Sequence, residues 1–247
     1  MPPADSDARL RRVYSRTMKT IGLIGGMSWE SSIEYYRIIN ESIRDRLGPL
    51  RSAKCVMYSF DFEEVVVLQR REAWDEATRR MIEAAKAVER AGADFIAICT
   101  NTMHKMAPSV QAAVGVPLLH IVDPAAREVK ARGLRRIGLL ATRFTMEQDF
   151  YTGRLVREHG LEVIIPDAPD RQLVHDIIFN ELCCGEIRDA SRQELRRVIG
   201  CLQDKGAEGV ILGCTELGLL IKQADSPLPL FDTTVLHAKA AAELAVS

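Results

Sequence analysis

Two stretches of the chain set a protic side chain where a buried apolar strand hands over to a helix. They are "AICTNTMHK", Ala97 to Lys105, and "GVILGCTEL", Gly209 to Leu217. A thiol or hydroxyl in such a place can act as nucleophile, proton acceptor or proton donor. The first stretch offers two candidates side by side, Cys99 and Thr100. Successive side chains on a strand face opposite ways, so only one of the two can face a given pocket. Free N–H groups at the start of the following helix, with the side chains of Asn101, Thr102 and Thr215, suit a carboxylate. A thiol at the same helix start is expected to have a lowered pKa and to carry thiolate at neutral pH.

The two stretches belong to a longer repeat. "IGLIGGM" from Ile21 returns as "IGLLATR" from Ile137, 116 residues on. "AGADFIAICTNT" from Ala91 returns as "KGAEGVILGCTE" from Lys205, 114 residues on, and "VPLLHI" from Val116 as "LPLFDT" from Leu228, 112 on. Three landmarks in one order at nearly one spacing predict two related units; convergence on common strand patterns is the alternative. At the offset of 114, Thr100 matches Cys214, and Cys99 matches Gly213. Thr100 and Cys214 are then symmetry mates facing a shared cleft, and Cys99 turns into the packing.

The elements that must position them follow from pattern. Apolar β-branched runs alternate with helical ones, which predicts an α/β fold of two pseudosymmetric domains, each a parallel sheet flanked by helices. Strands are expected at "KTIGLIGG", "KCVMYSF", "DFIAICT", "PLLHIV", "RIGLLAT", "LEVIIP", "GVILGCT" and "LPLFDT". Helices are expected over Trp29 to Arg46, Trp74 to Ala91 and Ser191 to Lys205. The predicted division is a disordered extension over 1–17, a first domain over 18–121 plus 223–247, and a second over 122–222. Ligands of open parallel sheets bind beyond the carboxyl ends of the strands, which puts the active site in the cleft between the domains.

Two opposed protic groups across a cleft match racemisation at a carbon alpha to a carboxylate, where one group removes the proton and the other returns one to the opposite face. The developing enediolate then needs preorganised donors. The motifs "GLIGGMSWESS", "CTNTMHK", "TRFTMEQDFY", "IIFNELC", "GCTELGLL" and "FDTTVLHA" resemble those of the aspartate/glutamate racemase family, and within it the broad-specificity amino-acid racemases of enteric bacteria. The likeness runs through nearly everything from Met18 on. It implies a cofactor-independent, usually dimeric isomerase of amino acids with Thr100 and Cys214 as the catalytic pair. It also implies Met27, Gln69, Asn101, Thr102, Thr145, Thr215 and Glu216 as substrate neighbours. Most members carry two cysteines, in "CNT" and "GCT"; here Thr100 takes the first cysteine's place. A hydroxyl is a far poorer base than a thiolate unless activated, and His104, four residues on, is the nearest candidate. Many aspartate racemases have an arginine after the second strand and a lysine in the helix matching "IIFNELCCG"; Cys183 stands at the lysine position, so strict specificity for aspartate is not implied. Glu216 either caps its helix or polarises Cys214, Thr142 and Thr145 read alternatively as simple helix caps, and Cys183 and Cys184 read as packing residues.

Composition narrows the classes. The chain has 247 residues and a formal net charge of −1, which argues against a nucleic-acid or membrane-surface partner. No apolar run approaches the roughly 20 residues of a membrane helix, and "MPPADSDARLRRVYSRT" has no signal-peptide core. A cytoplasmic protein is expected. Six cysteines form no CxxC pair, so no metal is expected. "GLIGGMS" is not GxGxxG, and no lysine falls in either cleft motif, which speaks against a dinucleotide and a pyridoxal Schiff base. The expected partner is a small-molecule amino acid, with a homodimer implied by the resemblance. Two other classes stay open. One is a dicarboxylate isomerase or decarboxylase using Cys214 alone; the other is a non-catalytic amino-acid binder.

Overall fold

A computed structural model describes residues 18–247; the extension expected over 1–17 lies outside the described residues. Eight strands and eleven α-helices alternate along the described residues. In the first half these are β1 (Ile21–Gly25), α1 (Trp29–Leu47), β2 (Cys55–Ser59), α2 (Phe62–Arg70), α3 (Trp74–Arg90), β3 (Phe95–Ile98), α4 (Ala107–Ala113) and β4 (Leu118–Leu119). The second half has α5 (Val122–Ala131), β5 (Arg136–Ala141), α6 (Arg143–Glu147), α7 (Asp149–Arg157), β6 (Glu162–Ile164), α8 (Ala168–Asn180), α9 (Asp189–Asp204), β7 (Gly209–Gly213), α10 (Leu217–Leu220), β8 (Leu230–Asp232) and α11 (Thr233–Val246). All eight expected strands and the three expected long helices are present.

The strands form two four-stranded parallel sheets, ordered β2-β1-β3-β4 and β6-β5-β7-β8. The same order in both carries the repeat into space. In the first sheet Ile21 sits opposite Phe95; in the second Ile137 sits opposite Gly209. These pairs are the ones the offsets of 116 and 114 predict. One boundary needs correction. β8 pairs with β7, so 223–232 lies with the second sheet, and the chain returns to the first unit only at Thr233. The repeat had pointed there, since "LPLFDT" is the mate of the β4 segment.

Central strands are buried on both faces, as continuous apolar runs in parallel sheets require. On the first sheet Ile24, Ile96 and Ile98 pack against Met81, Ala84 and Val88 of α3. Ile21, Leu23, Phe95, Ala97 and Cys99 pack the other way, against Tyr35 and Ile39 of α1 and the alanines of α11. The second sheet builds one larger core that takes in Ile121 and Val122 at the start of α5. His237 ties α11 to the first sheet. Its Nε2–H donates to the Leu119 carbonyl at 2.9 Å, and its Nδ1 accepts from the Tyr35 hydroxyl at 2.8 Å. Both nitrogens are therefore used by the neutral ring, and burial holds its pKa down at about 4. Among the described residues no helix is long and apolar enough to cross a membrane.

Candidate active site

Thr100 and Cys214 each lie five residues beyond a register pair of their sheet, Phe95 and Gly209, just past the carboxyl ends of β3 and β7. Both line one cavity between the two units. Cys99 does not: it is fully buried among Ile21, Leu23 and Tyr35, its thiol aimed at the Ala97 carbonyl, and burial raises its pKa far above the ordinary thiol value. Strand alternation thus puts Thr100 in the cavity wall and Cys99 in the packing.

The Gly25–Ser28 turn closes the floor from the first unit. Gly26 has φ +81°, and a Cβ there would run into the Phe60 backbone, so glycine is required. The Gly26 N–H donates to Ser32 Oγ at 2.8 Å, and the Ser32 hydroxyl donates to the Ser28 carbonyl at 2.8 Å. This holds Met27 in the cavity wall and aims Ser28 across the cleft. The Ser28 hydroxyl and N–H both donate to Glu216 Oε1, at 2.8 and 3.3 Å. Glu216 Oε2 accepts from the Cys214 thiol at 3.0 Å and from the Thr215 hydroxyl at 2.9 Å. All four contacts are donors onto two acceptor oxygens, the pattern that suits a carboxylate. The Glu216 side chain caps no helix, so of its two expected roles the structure assigns contact with Cys214.

Burial, together with that contact, overturns the expectation of a lowered thiol pKa. Burial first, then the Glu216 charge and the nearby Cys183, push the Cys214 pKa well above its ordinary value. The helix that follows, α10, has four residues and starts beyond Glu216, so its dipole offsets little. Cys214 is thus a thiol with its proton directed at the Glu216 carboxyl.

Thr100 is held differently. His104 donates Nδ1–H to the Thr100 carbonyl at 2.7 Å and accepts the Ile121 N–H on Nε2 at 3.1 Å. The ring is fully used and buried beside His120 and His237, which drives its pKa down. His104 therefore fixes the Thr100 backbone and cannot take the hydroxyl proton. Among the described residues no side chain hydrogen-bonds the Thr100 hydroxyl.

The other expected substrate neighbours divide. Met27, Gln69, Asn101, Thr102 and Glu216 line the cavity; Thr145 and Thr215 do not. Thr145 is fully buried behind Thr102 and Thr142, the three hydroxyls lying 2.9–3.2 Å from one another. Thr142, read from sequence as a cap, does accept the Thr145 N–H, and it also faces the cavity. Thr215 turns its hydroxyl to Glu216. The sequence reading missed an apolar wall of Phe62, Ile178 and Phe179; Cys183, expected to be packing, joins it. Phe62 follows the Asp61 cap of α2, and the pair Ile178-Phe179 closes α8, so helix ends facing the cleft were the available signal. The cavity is about 20 Å³, room for about one water. It adjoins an outer cavity of about 280 Å³ through shared residues Gln69 and Phe179.

Comparison with known proteins bears on the family and the fold. The family model described as Asp/Glu/Hydantoin racemase matches residues 24–241. The broad specificity amino-acid racemase RacX of Bacillus subtilis (strain 168) is 27% identical over 168 residues, 67% of this chain and 70% of that protein. A crystal structure from Yersinia pestis, provisionally assigned as an Asp/Glu racemase, superposes with a TM-score of 0.86 at 52% identity, covering 93% of this chain and all of that one. An aspartate racemase homologue from Pyrococcus horikoshii OT3 gives 0.80 at 39% identity, again over 93% of this chain and 100% of the other. The chain belongs to the Asp/Glu/hydantoin racemase family, and with it to the isomerases.

Proposed function

We propose that this protein is a cofactor-independent amino-acid racemase that works by proton transfer at the α-carbon between Cys214 and Thr100. One observation carries the reading: the two residues matched by the internal repeat, one from each sheet, line the same small cavity. A substrate α-carbon between them has one protic group on each face. No lysine lines the cavity, so the chain offers no Schiff-base partner there.

The proton path follows from the contacts. Cys214 passes its thiol proton to Glu216 Oε2, along the 3.0 Å hydrogen bond. The thiolate then takes the α-proton; the C–H electron pair delocalises into the substrate carboxylate as an enediolate. The Thr102 and Thr142 hydroxyls line the cavity and can donate to that group. Thr100 gives its hydroxyl proton to the opposite face and regains one from water, and Glu216 returns its proton to the hydroxide so formed, which restores the starting state. The reverse direction runs the same steps backwards, with the weaker base, Thr100, taking the proton.

The test is a pair of substitutions. Cys214→Ala is expected to abolish racemisation with the fold intact, whereas Cys99→Ala costs at most about 1 kcal/mol of stability and leaves turnover near native. An active Cys214→Ala protein, or a dead but folded Cys99→Ala protein, would overturn the assignment.

A further inference from the structure

Two buried acceptors in the cavity wall have no partner among the described residues: Gln69 Oε1 and Asn101 Oδ1. The side chains are 4% and 2% exposed. Their orientation is set by chemistry. Asn101 Nδ2 lies 3.0 Å from Thr233 Oγ1, and that hydroxyl spends its only proton on the Leu212 carbonyl at 2.8 Å. Thr233 can therefore only accept, so the amide must present its NH₂ there and its oxygen elsewhere. Gln69 Nε2 lies 3.3 Å from Met103 Sδ, a sulfur that can only accept. Flipping either amide would set acceptor against acceptor. Each side chain thus keeps a buried oxygen in need of a donor, and such groups are rarely left unsatisfied once a site is filled.

The same wall contains no lysine, arginine or histidine; its one ionisable carboxyl is Glu216. Gln69 stands where the cavity meets the outer one, flanked by Phe62 and Phe179. The outer cavity is lined by Arg70 and Arg143 as well as by Glu72 and Asp176, and its His175 is kept neutral by burial and by Arg143. The inner wall supplies no cation for a second carboxylate. Within the inner wall the one fixed charge an acidic side chain would meet is the Glu216 carboxylate.

Resting on the racemase reading, we infer that the substrate is an amino acid whose uncharged side chain ends in a hydrogen-bond donor, a hydroxyl or carboxamide. Its α-ammonium donates to Asn101 Oδ1, and the side-chain donor reaches Gln69 Oε1 across the Phe62–Phe179 wall. A site with a buried acceptor to satisfy discriminates strongly against a like-shaped ligand that lacks the donor.

The experiment measures α-proton exchange in heavy water with L-asparagine, L-glutamine, L-serine, L-threonine, L-aspartate, L-glutamate, L-lysine, L-leucine and L-methionine, on the native protein and on Gln69→Leu. The expected result is kcat/KM at least about tenfold higher for the best amide or hydroxyl amino acid than for its acidic or apolar counterpart. Gln69→Leu should shrink the amide-over-apolar ratio by about tenfold or more. Aspartate, glutamate, lysine, leucine or methionine turning over as well as the amides and hydroxyl amino acids would overturn the substrate class and leave the racemase standing. Exchange with none of the nine would overturn the racemase reading itself, and the substrate class with it.

Discussion

Glu216→Gln separates two jobs that a carboxylate beside a thiol can do. As a charge alone, Glu216 raises the Cys214 pKa and makes the thiolate scarcer. Its removal would then lower that pKa and increase activity. As the acceptor of the thiol proton, it is the group that makes the thiolate at all. Removing it then slows the reaction by the roughly 10²- to 10⁴-fold typical of a lost general base, about 3 to 5 kcal/mol of barrier. The structure favours the second outcome, because the thiol points at Oε2 and Ser28 and Thr215 fill the remaining positions around the carboxylate. Stability should fall as well. A glutamine has one oxygen where four donors converge, so either the Ser28 pair or the Cys214–Thr215 pair meets an NH₂. An unsatisfied buried donor costs about 1–3 kcal/mol. The assay is kcat/KM against pH for the native protein and the variant, beside a thiol titration read from thiolate absorbance as the difference from Cys214→Ala. The expected outcome is a thiol that ionises at lower pH in Glu216→Gln together with activity at least about a hundredfold lower. A variant at neutral pH as active as the native protein, or more so, would refute the relay.

Two further outcomes follow from residues already placed. In the native protein, turnover from the enantiomer whose α-hydrogen faces Cys214 should exceed that from its mirror image. The equilibrium constant between enantiomers is unity, so kcat/KM must be equal and the gap appears in kcat, with each factor of ten worth about 1.4 kcal/mol. Thr100→Cys should narrow it, and equal kcat values in the native protein would sink the unequal pair. His237, neutral in the fold with a pKa of about 4 against about 6.5 unfolded, gives stability a pH dependence. The unfolded chain binds the proton first, so stability is full above about pH 6.5 and declines as pH falls towards 4, by on the order of 3 kcal/mol. Urea unfolding midpoints at pH 7 and pH 5 check this; equal midpoints, after allowing for the slope left in His237→Gln, would contradict it.

The sequence made the frame of the site readable because strand alternation and internal repetition are local properties. Thr100, rather than Cys99, followed from counting residues, as did its pairing with Cys214. The ionisation of Cys214 was not readable in the same way. It depends first on burial and then on a carboxylate two residues away whose other oxygen is held by Ser28, 188 residues distant in sequence, so a helix-start argument from "GCTEL" alone gave the wrong sign. Thr145 illustrates a similar limit. Its spacing from Thr142 put it at the right strand end, but depth within a ring of three hydroxyls is set by packing against Thr102 of the other unit. The apolar wall was hidden because Phe62, Ile178 and Phe179 read equally well as ordinary core on their helices. The expected division put β8 with the first unit, whereas its pairing with β7 puts it in the second sheet.

The central claim is that Cys214 and Thr100 exchange protons with opposite faces of one α-carbon. It is tested most directly by incubating each enantiomer of a turned-over amino acid in heavy water, without added cofactor, and following deuterium at the α-carbon together with chirality. The account predicts deuterium in the product enantiomer from either starting hand, and loss of all inversion in Cys214→Ala. Inversion without solvent deuterium at the α-carbon, or inversion that survives Cys214→Ala, would contradict it.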